Sequence, residues 1–271
     1  MPELPEVETT RLGLGPLVAG RRLKTVTIRQ HRLRWPIPRA VSRRSGEAIT
    51  GLERRAKWLI WRLETGSLLW HLGMSGSFRA WSPAPAPGPH DHVDVVLDDN
   101  RVIRFTDPRR FGALLWQPGP DPMVHPRLAE LGPEPLGPGF DGNRLWRLSR
   151  GRRAPVKSFI MDSRVVVGVG NIYAAEALFA AGIHPLRAAG RISRERYNRL
   201  ADAIRATLDR AITAGGTSLR DFTVGDGTPG YFGQELKVYG LAGRPCPACG
   251  ATLTGRVIGQ RATVWCPSCQ H

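Results

Sequence analysis

Cysteine, acidic residues and long apolar runs are all scarce in this 271-residue sequence. All four cysteines fall within the last 26 residues, so a disulfide framework cannot hold the rest of the chain together. The longest apolar runs, such as 165–167, fall far short of the roughly 18 residues that a transmembrane helix needs. The opening residues, Met-Pro-Glu-Leu-Pro-Glu, have neither the basic start nor the apolar core of a signal peptide. We therefore expect a cytoplasmic protein.

The composition otherwise fits a folded protein. Hydrophobic residues make up 41% of the chain and charged residues 23%, which excludes a fully disordered sequence. The length allows one large domain, or two ordinary domains with an appendage. The 39 Lys and Arg residues outnumber the 23 Asp and Glu residues, giving a formal charge of +16. Such an excess favours a polyanionic partner, either nucleic acid or an acidic membrane. The alternative is an arginine-rich composition spread over solvated surface, as we expect for Arg194, Arg196, Arg199 and Arg205.

The cysteines form two Cys-x-x-Cys pairs separated by sixteen residues. This spacing is typical of a zinc ribbon, in which two turns each direct two thiolates at one metal ion. Two disulfides are the alternative, which the absence of a signal peptide and of other cysteines disfavours. A closed four-cysteine site has no open position for catalysis, so we expect one structural Zn²⁺ and no organic cofactor. The expected zinc ligands are Cys246, Cys249, Cys266 and Cys269.

Periodicity predicts an α+β fold. A helix is expected from Pro5 to about Val18, followed by short strands as far as Trp116 that indicate a β-sandwich or barrel. Two further helices are expected later in the chain, one from Asn171 and one from Arg194. The predicted strands cover residues 23–28, 57–63, 67–72, 77–81, 92–97, 101–106 and 112–116.

Pro2, Glu3 and Lys57 could take part in chemistry at a carbonyl or a sugar carbon. If Met1 is removed, Pro2 presents an α-amine, which titrates near ~7.7–8 and so supplies more free base at neutral pH than a lysine. Glu3 could shuttle a proton beside it. A frayed terminus is the ordinary alternative. Strand alternation would place Lys57 at the end of an apolar face, where it either snorkels to solvent, acts as an amine catalyst or fixes a phosphate.

Two segments place large side chains beside glycines at strand ends. Met74 and Phe111 are either core residues or, next to Arg109, wedges that enter a base stack. The turn Gly168-Val-Gly170 before Asn171 could direct backbone amides at a phosphate, although many helices begin this way.

Together these residues resemble the bacterial formamidopyrimidine-DNA glycosylases, which excise oxidised purines such as 8-oxoguanine. The resemblance extends over almost the whole chain. It is carried by Met-Pro-Glu-Leu-Pro-Glu-Val-Glu-Thr at 1–9, Arg-Ala-Lys at 55–57, His-Leu-Gly-Met-Ser-Gly at 71–76, His-Asp-His at 90–92, Thr-Asp-Pro-Arg-Arg-Phe-Gly at 106–112, Val-Gly-Val-Gly-Asn-Ile-Tyr at 167–173, Pro-Gly-Tyr-Phe at 229–232 and the ribbon.

The resemblance implies a helix-plus-sandwich domain, a helix-two-turns-helix domain and a zinc ribbon, with duplex DNA bound in a cleft. Pro2 then matches the nucleophile that forms a Schiff base, and Glu3 matches the acid that assists sugar opening. Lys57 and Arg261 match cations that grip flanking phosphates and support β- and δ-elimination, and Asn171 matches a phosphate contact. The remaining DNA-binding matches are His71, His90 and Arg152, together with the wedge residues Met74, Arg109 and Phe111.

The expected domain bounds and partners combine the resemblance with the composition, since prolines and glycines crowd together between Gln117 and Gly142 and no apolar stripe is left over for a second subunit. The bounds are 1–117 for the catalytic domain, 118–142 for a connection, 143–236 for the helical domain and 237–271 for the ribbon. The segment Thr217 to Tyr231 is expected to close over the everted base. The expected partner is double-stranded DNA with oxidised purines or abasic sites, bound by a bacterial, nucleoid-associated monomer. The alternatives are the sister glycosylase for oxidised pyrimidines and a non-catalytic DNA-binding protein.

Overall fold

The computed structural model describes residues 2–216 and 235–271. These residues form two compact units, the first comprising 2–129 with 214–216 and the second comprising 130–213 with 235–271. No helix in the described ranges combines the length and the apolar character needed to cross a bilayer. The glycine-rich segment from Thr217 to Tyr231, expected to close over a base, lies outside the described residues.

The first unit begins with helix α1, Leu4–Val18, close to the bounds that the sequence predicts. Pro5 stands in the first turn, where a missing backbone N–H costs little because that N–H would have no partner within the helix. Val7, Leu14 and Val18 are buried and pack into the core of the same unit. The apolar residues whose spacing predicted this helix therefore form its packing face.

Two four-stranded antiparallel sheets follow α1 and share one hydrophobic core. The strands are β1 Leu23–Ile28, β2 Ile49–Arg55, β3 Trp58–Leu63, β4 Gly66–His71, β5 Ser77–Trp81, β6 Asp91–Leu97, β7 Val102–Thr106 and β8 Ala113–Pro118. The sheet orders are β1-β6-β7-β5 and β2-β3-β4-β8. Rings from the two sheets meet in the core, with centroids 6.1 Å apart for Trp61 and Phe78 and 5.3 Å apart for Trp70 and Phe105. The predicted α+β fold with a sandwich is confirmed.

The sequence predicted seven of these eight strands and missed β2. The β2 residues, Ile-Thr-Gly-Leu-Glu-Arg-Arg, alternate poorly and include a glycine, so they have little strand signal. The prediction that Lys57 belongs to a strand is wrong, because β3 begins at Trp58 and Lys57 lies in the turn between β2 and β3. Ala56 in that turn has φ of 55°. Apolar residues are buried along both faces of β3, since α1 packs against β2 and β3.

The second unit contains four helices. They are α3 Gly142–Ser149, α4 Val156–Ile160, α5 Asn171–Ala180 and α6 Arg194–Thr213, while the short helix α2, Pro126–Ala129, ends the first unit. Helices α5 and α6 begin where the sequence predicts, and Ser193 Oγ accepts the N–H of Arg196 to cap α6. Helices α3 and α4 were not predicted, because eight- and five-residue helices carry too few turns to show a period.

Two of the α6 arginines contradict the expectation of a solvated row. Arg196 Nη2 donates to the carbonyl oxygens of Gly182 at 2.9 Å and His271 at 2.6 Å. Arg205 donates to the carbonyls of Pro135 and Phe140. Both side chains therefore connect other backbone segments to α6 by hydrogen bonds. A guanidinium presents five donors, which suits it to bind two backbone carbonyls at once.

The ribbon folds around one hairpin, β9 Thr254–Ile258 and β10 Arg261–Trp265. Its start is tied to α5 by the buried carboxylate of Glu176, which accepts the backbone N–H groups of Lys237, Val238 and Tyr239 at 2.8 to 3.0 Å. Its end is tied by Gln270, whose amide nitrogen donates to the Ile183 carbonyl. Polar contacts at both ends thus compensate for the small apolar core of this segment.

Candidate functional site

The N-terminus is packed into the first unit. Pro2 is buried, and the exposed fraction of Glu3 is only 1%. The carboxylate of Glu6, itself fully buried, accepts the backbone N–H of Glu3 at 2.8 Å. Glu3 and Glu6 form a capping box, which satisfies backbone donors that the first helical turn leaves without partners. The peptide group joining Pro2 to Glu3 therefore has a fixed orientation.

The turn that carries Lys57 is tied to the same helix. Arg54 Nε donates to the carboxylate of Glu8 on α1 at 2.9 Å, and its Nη1 donates to the carbonyl of Ala56 at 3.0 Å. Burial opposes ionisation of Glu8, but Arg11 and Arg54 outweigh it and hold the pKa of this carboxyl below its ordinary value. Lys57 itself is half-buried. One arginine thus connects α1 with the residue directly before Lys57.

His71 ends β4 and is held neutral. Burial, with the positive charges of Lys57 and Arg34, lowers the pKa of this imidazole to about 4. Its Nδ1 accepts the N–H of Gly73 at 2.9 Å, so the ring proton resides on Nε2. The ring packs edge-on against Trp58, with centroids 5.0 Å apart. His71 can therefore donate one hydrogen bond from Nε2 without carrying a charge.

The predicted wedge residues lie on two loops of the first unit. Met74 is 37% exposed and Phe111 is 45% exposed, values unusual for side chains of this size. The guanidinium carbon of Arg109 lies 5.1 Å from the centre of the Phe111 ring. Both apolar side chains line an open depression of about 540 Å³ that also includes Arg34 and His71. The interpretation of Met74 and Phe111 as core residues is excluded by their exposure.

His90 lies in the turn before β6, and its imidazole is exposed. The carbonyl of His90 accepts the N–H of Asp107 at 3.0 Å, which places His90 beside the loop that carries Arg109. The first unit therefore brings His90 and Arg109 to one end of the sandwich.

In the second unit, Asn171 is the first residue of α5. It follows a glycine turn in which Gly168 has φ of 79°, a conformation that favours glycine. The amide oxygen of Asn171 is buried and has no hydrogen-bond donor among the residues that the structure describes. An anion at this helix start can accept hydrogen bonds only from donors, which are the side-chain Nδ2 of Asn171 and the backbone N–H groups of the first turn.

Arg261 begins β10 and is exposed next to the hairpin turn, where Gln260 has φ of 62°. A buried lysine supports this strand from behind. Lys157 on α4 donates to Thr263 Oγ1 at 2.7 Å and to the carbonyl of Ala262 at 3.2 Å, and only 2% of Lys157 is exposed. The hairpin that presents Arg261 is thus anchored to the helical part of its unit.

Arg152 is exposed and lines a basic depression of about 800 Å³ in the second unit. Three other arginines line the same depression, namely Arg153, Arg187 and Arg191. Four guanidinium groups around one concave surface attract an anion, and phosphate is the group that arginine recognises best by geometry.

The four cysteines converge as a metal centre. They are free thiols whose sulfur atoms all lie within 4.8 Å of one another. The Sγ atoms are 3.5 Å apart for Cys249 and Cys266 and 4.0 Å apart for Cys246 and Cys269. Tetrahedral Zn²⁺ with bonds of ~2.3 Å places sulfurs roughly 3.8 Å apart, so the geometry fits one structural zinc ion. These distances exclude the alternative of two disulfides.

Comparison with known proteins gives one consistent answer. The formamidopyrimidine-DNA glycosylase N-terminal domain matches residues 1–114, its H2TH domain matches 131–223, and a zinc finger found in FPG and IleRS matches 243–271. The chain belongs to the formamidopyrimidine-DNA glycosylase family. It is therefore a DNA-repair glycosylase, an enzyme that hydrolyses N-glycosyl bonds.

Curated relatives in this family match over their full length. The formamidopyrimidine-DNA glycosylases of Stenotrophomonas maltophilia and Alkalilimnicola ehrlichii are 60% and 58% identical, each covering 100% of both chains. The crystal structure of the MutM (Fpg) protein from Thermus thermophilus aligns with a TM-score of 0.89 at 41% identity, covering 99% of this chain and 98% of that one. A Lactococcus lactis Fpg mutant, in complex with Fapy-dG DNA, aligns with a TM-score of 0.92 at 30% identity over 100% of both chains.

Sequence reasoning about this glycosylase missed the residues that support the site. Glu6, Lys157 and Glu176 are buried charged residues whose partners are mostly backbone atoms. Glu6 had a detectable signal, since a carboxylate three residues after an N-cap predicts a capping box. Lys157 and Glu176 had none, because each binds a segment more than 60 positions away.

Proposed function

We propose that this glycosylase excises oxidised purines, such as 8-oxoguanine and formamidopyrimidines, from duplex DNA and then cuts the strand as an abasic-site lyase. The observation that carries the proposal is the packing of the N-terminus. Pro2 is buried, and the peptide that joins it to Glu3 is held by the Glu6 carboxylate at 2.8 Å. Chain ends with no assigned role are usually frayed. A positioned proline amine is what covalent attack on a sugar carbon requires.

The chemistry begins with the free amine that removal of Met1 exposes. The nitrogen of Pro2 attacks C1′ of the damaged nucleotide, the N-glycosidic bond breaks, and the base leaves with the bonding electrons and gains a proton. Glu3 protonates the sugar ring oxygen, the ring opens, and an iminium joins Pro2 to C1′. Loss of a C2′ proton then lets the 3′ phosphate leave by β-elimination. A second, δ-elimination releases the 5′ phosphate.

Cations assist the eliminations because each one expels a phosphate. We assign Lys57 in the first unit and Arg261 in the second to the phosphates flanking the lesion, where they stabilise the departing negative charge. The half-buried position of Lys57 and the exposed start of β10 support these assignments. Asn171 is assigned a phosphate contact through its side-chain Nδ2, which donates at the start of α5, where backbone N–H groups also favour an anion.

The wedge assignment rests on exposure and charge. Met74 and Phe111 are placed in the gap that an everted nucleotide leaves, while Arg109 takes up the hydrogen bonds of the base left behind. Their exposure and the packing of Arg109 on Phe111 support this role. His71, His90 and Arg152 are assigned contacts to the DNA backbone. The structurally similar Lactococcus lactis Fpg structures contain DNA with an abasic site or with Fapy-dG, which supports duplex DNA as the partner.

The proposal keeps the domain bounds expected from the sequence, 1–117, 118–142, 143–236 and 237–271. It also keeps a monomeric enzyme that works in the bacterial cytoplasm on nucleoid DNA. When bound, the structural zinc stabilises the fold of the ribbon, and the side chains of this chain make the contacts with DNA.

Borohydride trapping on a duplex with one abasic site tests the nucleophile. Borohydride reduces the iminium to a stable amine, so the wild-type protein without Met1 should form a covalent adduct with DNA. Pro2→Gly should trap far less. Tandem mass spectrometry of the N-terminal peptide released from the adduct by proteolysis should place the DNA on Pro2. An adduct on Lys57, or equal trapping by Pro2→Gly, overturns the assignment.

A pair of substrates tests the base class. The enzyme should release 8-oxoguanine faster than thymine glycol from otherwise identical duplexes under single-turnover conditions. A clear preference for thymine glycol would instead identify the activity of the sister glycosylase. Trapping without release of either base would leave lyase activity alone.

A further inference from the structure

The two loops that carry the wedge connect the same two sheets at the same end of the sandwich. The first, residues 72–76, runs from β4 to β5 and carries Met74. The second, residues 107–112, runs from β7 to β8 and carries Arg109 and Phe111. Because β4 pairs with β8 and β5 pairs with β7, the two loops cross between the sheets side by side.

A chain of hydrogen bonds joins these loops. The backbone N–H of Arg109 donates to Ser75 Oγ at 3.1 Å, and Ser75 Oγ donates to Asp107 Oδ1 at 2.6 Å. The other oxygen, Asp107 Oδ2, accepts the N–H of Gly112 at 2.7 Å. Asp107 is fully buried and Ser75 is 6% exposed. One carboxylate therefore contacts the first loop through Ser75 and closes both ends of the second.

The backbones of the two loops also touch. Gly73 has φ of 64°, and a Cβ atom placed there would overlap the backbone of Phe111. A Cβ on Gly112 would lie 2.9 Å from Asp107 Oδ2. Gly73, beside Met74, and Gly112, beside Phe111, thus lie where the packing leaves no room for a side chain.

The Asp107 backbone adds further fixed points. Its carbonyl accepts a hydrogen bond from the His92 ring nitrogen Nε2 at 2.8 Å and from the N–H of Arg110 at 3.1 Å. Burial removes the hydration of a carboxylate, and hydrogen bonds only partly compensate for that loss. An apolar residue at such a position therefore often stabilises a fold equally well. Its value here is directional, since each oxygen accepts from one defined donor.

We propose that Asp107 and Ser75 are positioning residues that hold Met74, Arg109 and Phe111 as one rigid wedge. The inference rests on the proposed function, because it requires that these three side chains enter the DNA. If the loops became ordered only as the wedge entered the base stack, the free-energy cost of ordering them would add to the cost of base eversion. Asp107 and Ser75 therefore act on base eversion and leave the covalent chemistry of Pro2 unchanged.

The hydrogen-bonding pattern ranks the variants. Ser75→Ala removes the link between the loops and leaves the N–H of Arg109 without its acceptor. Asp107→Ala removes both carboxylate contacts. Asp107→Asn can keep both, because its Oδ1 can accept from Gly112 while its Nδ2 donates to Ser75 Oγ. We expect the loss of function to increase from Asp107→Asn to Ser75→Ala to Asp107→Ala.

A fluorescent base separates eversion from chemistry. With 2-aminopurine beside an 8-oxoguanine lesion, stopped-flow mixing reports unstacking, and quenched samples report base release in a single turnover. Ser75→Ala should slow both by about 10-fold or more, the factor expected for one lost hydrogen bond to a charged group. Borohydride trapping on an abasic site within an unpaired bulge, where eversion meets little resistance, should stay within about twofold of wild type.

The matched control is Ser67→Ala. Ser67 is also buried in this unit, and its Oγ has no hydrogen-bond partner among the described residues, so this variant should match wild type in every assay. Circular dichroism melts show whether each variant is folded, and Ser75→Ala with Asp107→Asn test the idea if Asp107→Ala unfolds.

The outcomes separate two failures. If the wild-type protein neither unstacks the reporter nor releases the base, the proposed function is wrong and this inference falls with it. If wild type is active and folded Ser75→Ala matches it in both rates, the positioning role is refuted. Equal slowing of unstacking and bulge trapping would show a general structural defect and would also contradict the inference.

Discussion

The carboxylate of Glu6 accepts the backbone N–H of Glu3 at 2.8 Å, and both side chains are almost completely buried. That N–H belongs to the peptide group that joins Glu3 to Pro2. The contact therefore stabilises the start of α1 and also orients the residue proposed to attack the sugar. Helix capping, an ordinary stabilising device, here positions a chain end.

Substituting Glu6 should impair the nucleophile before it unfolds the protein. Glu6→Ala should slow borohydride trapping on abasic-site DNA by about 10-fold or more, because the Pro2–Glu3 peptide loses its charged acceptor. Loss of the cap should lower the free energy of unfolding by about 1–2 kcal/mol, measured by urea denaturation.

Glu6→Gln keeps an acceptor oxygen and should retain most of the trapping rate. Leu12→Ala is the control on the same helix, since the Leu12 side chain is 51% exposed and should leave the trapping rate unchanged. Trapping by Glu6→Ala at the wild-type rate would contradict the positioning role.

His71 should make stability depend on pH in a defined window. The pKa of its imidazole is about 4 in the folded protein, against an ordinary value of 6.5. Between these values the unfolded chain binds more protons, so this contribution to stability is complete above pH 6.5 and is lost as pH falls towards 4. Urea denaturation between pH 7.5 and 5 should show a steeper decline for wild type than for His71→Gln.

NMR titration of the His71 ring checks the same cause directly. Arg34→Ala should raise the pKa of His71, because it removes one of the two neighbouring positive charges. A His71 resonance that titrates near 6.5 in the wild-type protein would show that the ring is not held neutral.

Zinc removal should unfold the ribbon selectively. Elemental analysis should find about one zinc ion per chain, and Cys266→Ser should lower that content, since it removes one of the four thiolate ligands. Metal binding supplies ~10–16 kcal/mol in small zinc peptides, so the loss should expose residues 243–271 to limited proteolysis. Ser268→Ala, in the same turn, should keep both zinc and protease resistance. Full resistance in a zinc-free sample would contradict a structural role.

The basic depression should contribute to the salt dependence of DNA binding. Arg187→Ala and Arg191→Ala should each reduce the slope of log K against log salt by about 0.9 if each side chain neutralises one phosphate. Fluorescence anisotropy with a labelled abasic-site duplex at several salt concentrations measures this slope. Arg210→Ala, on the exposed side of α6, is the control and should leave the slope unchanged. An unchanged slope in both depression variants would remove this surface from the DNA contacts.

Much of the fold was predictable because its signals are local. Helix α1 showed its buried stripe at Val7, Leu14 and Val18, and α6 showed its cap at Ser193. Strand β2 was missed because its residues alternate weakly. Lys57 was misplaced because a turn with φ of 55° at Ala56 has no signature in an ordinary alanine.

The sequence by itself determined the ribbon, the starts of α1, α5 and α6 and the identity of the motif residues, since these depend on spacing along the chain. The tertiary structure alone decided which charged residues support them. Asp107 meets Ser75 across 32 positions, and Lys157 meets Thr263 across 106. Likewise, the sequence predicted Arg196 and Arg205 to be solvated surface residues, whereas in the structure both donate to backbone carbonyls. Such contacts form only when distant segments pack together, and the desolvation that makes each buried polar group need a partner arises from that packing.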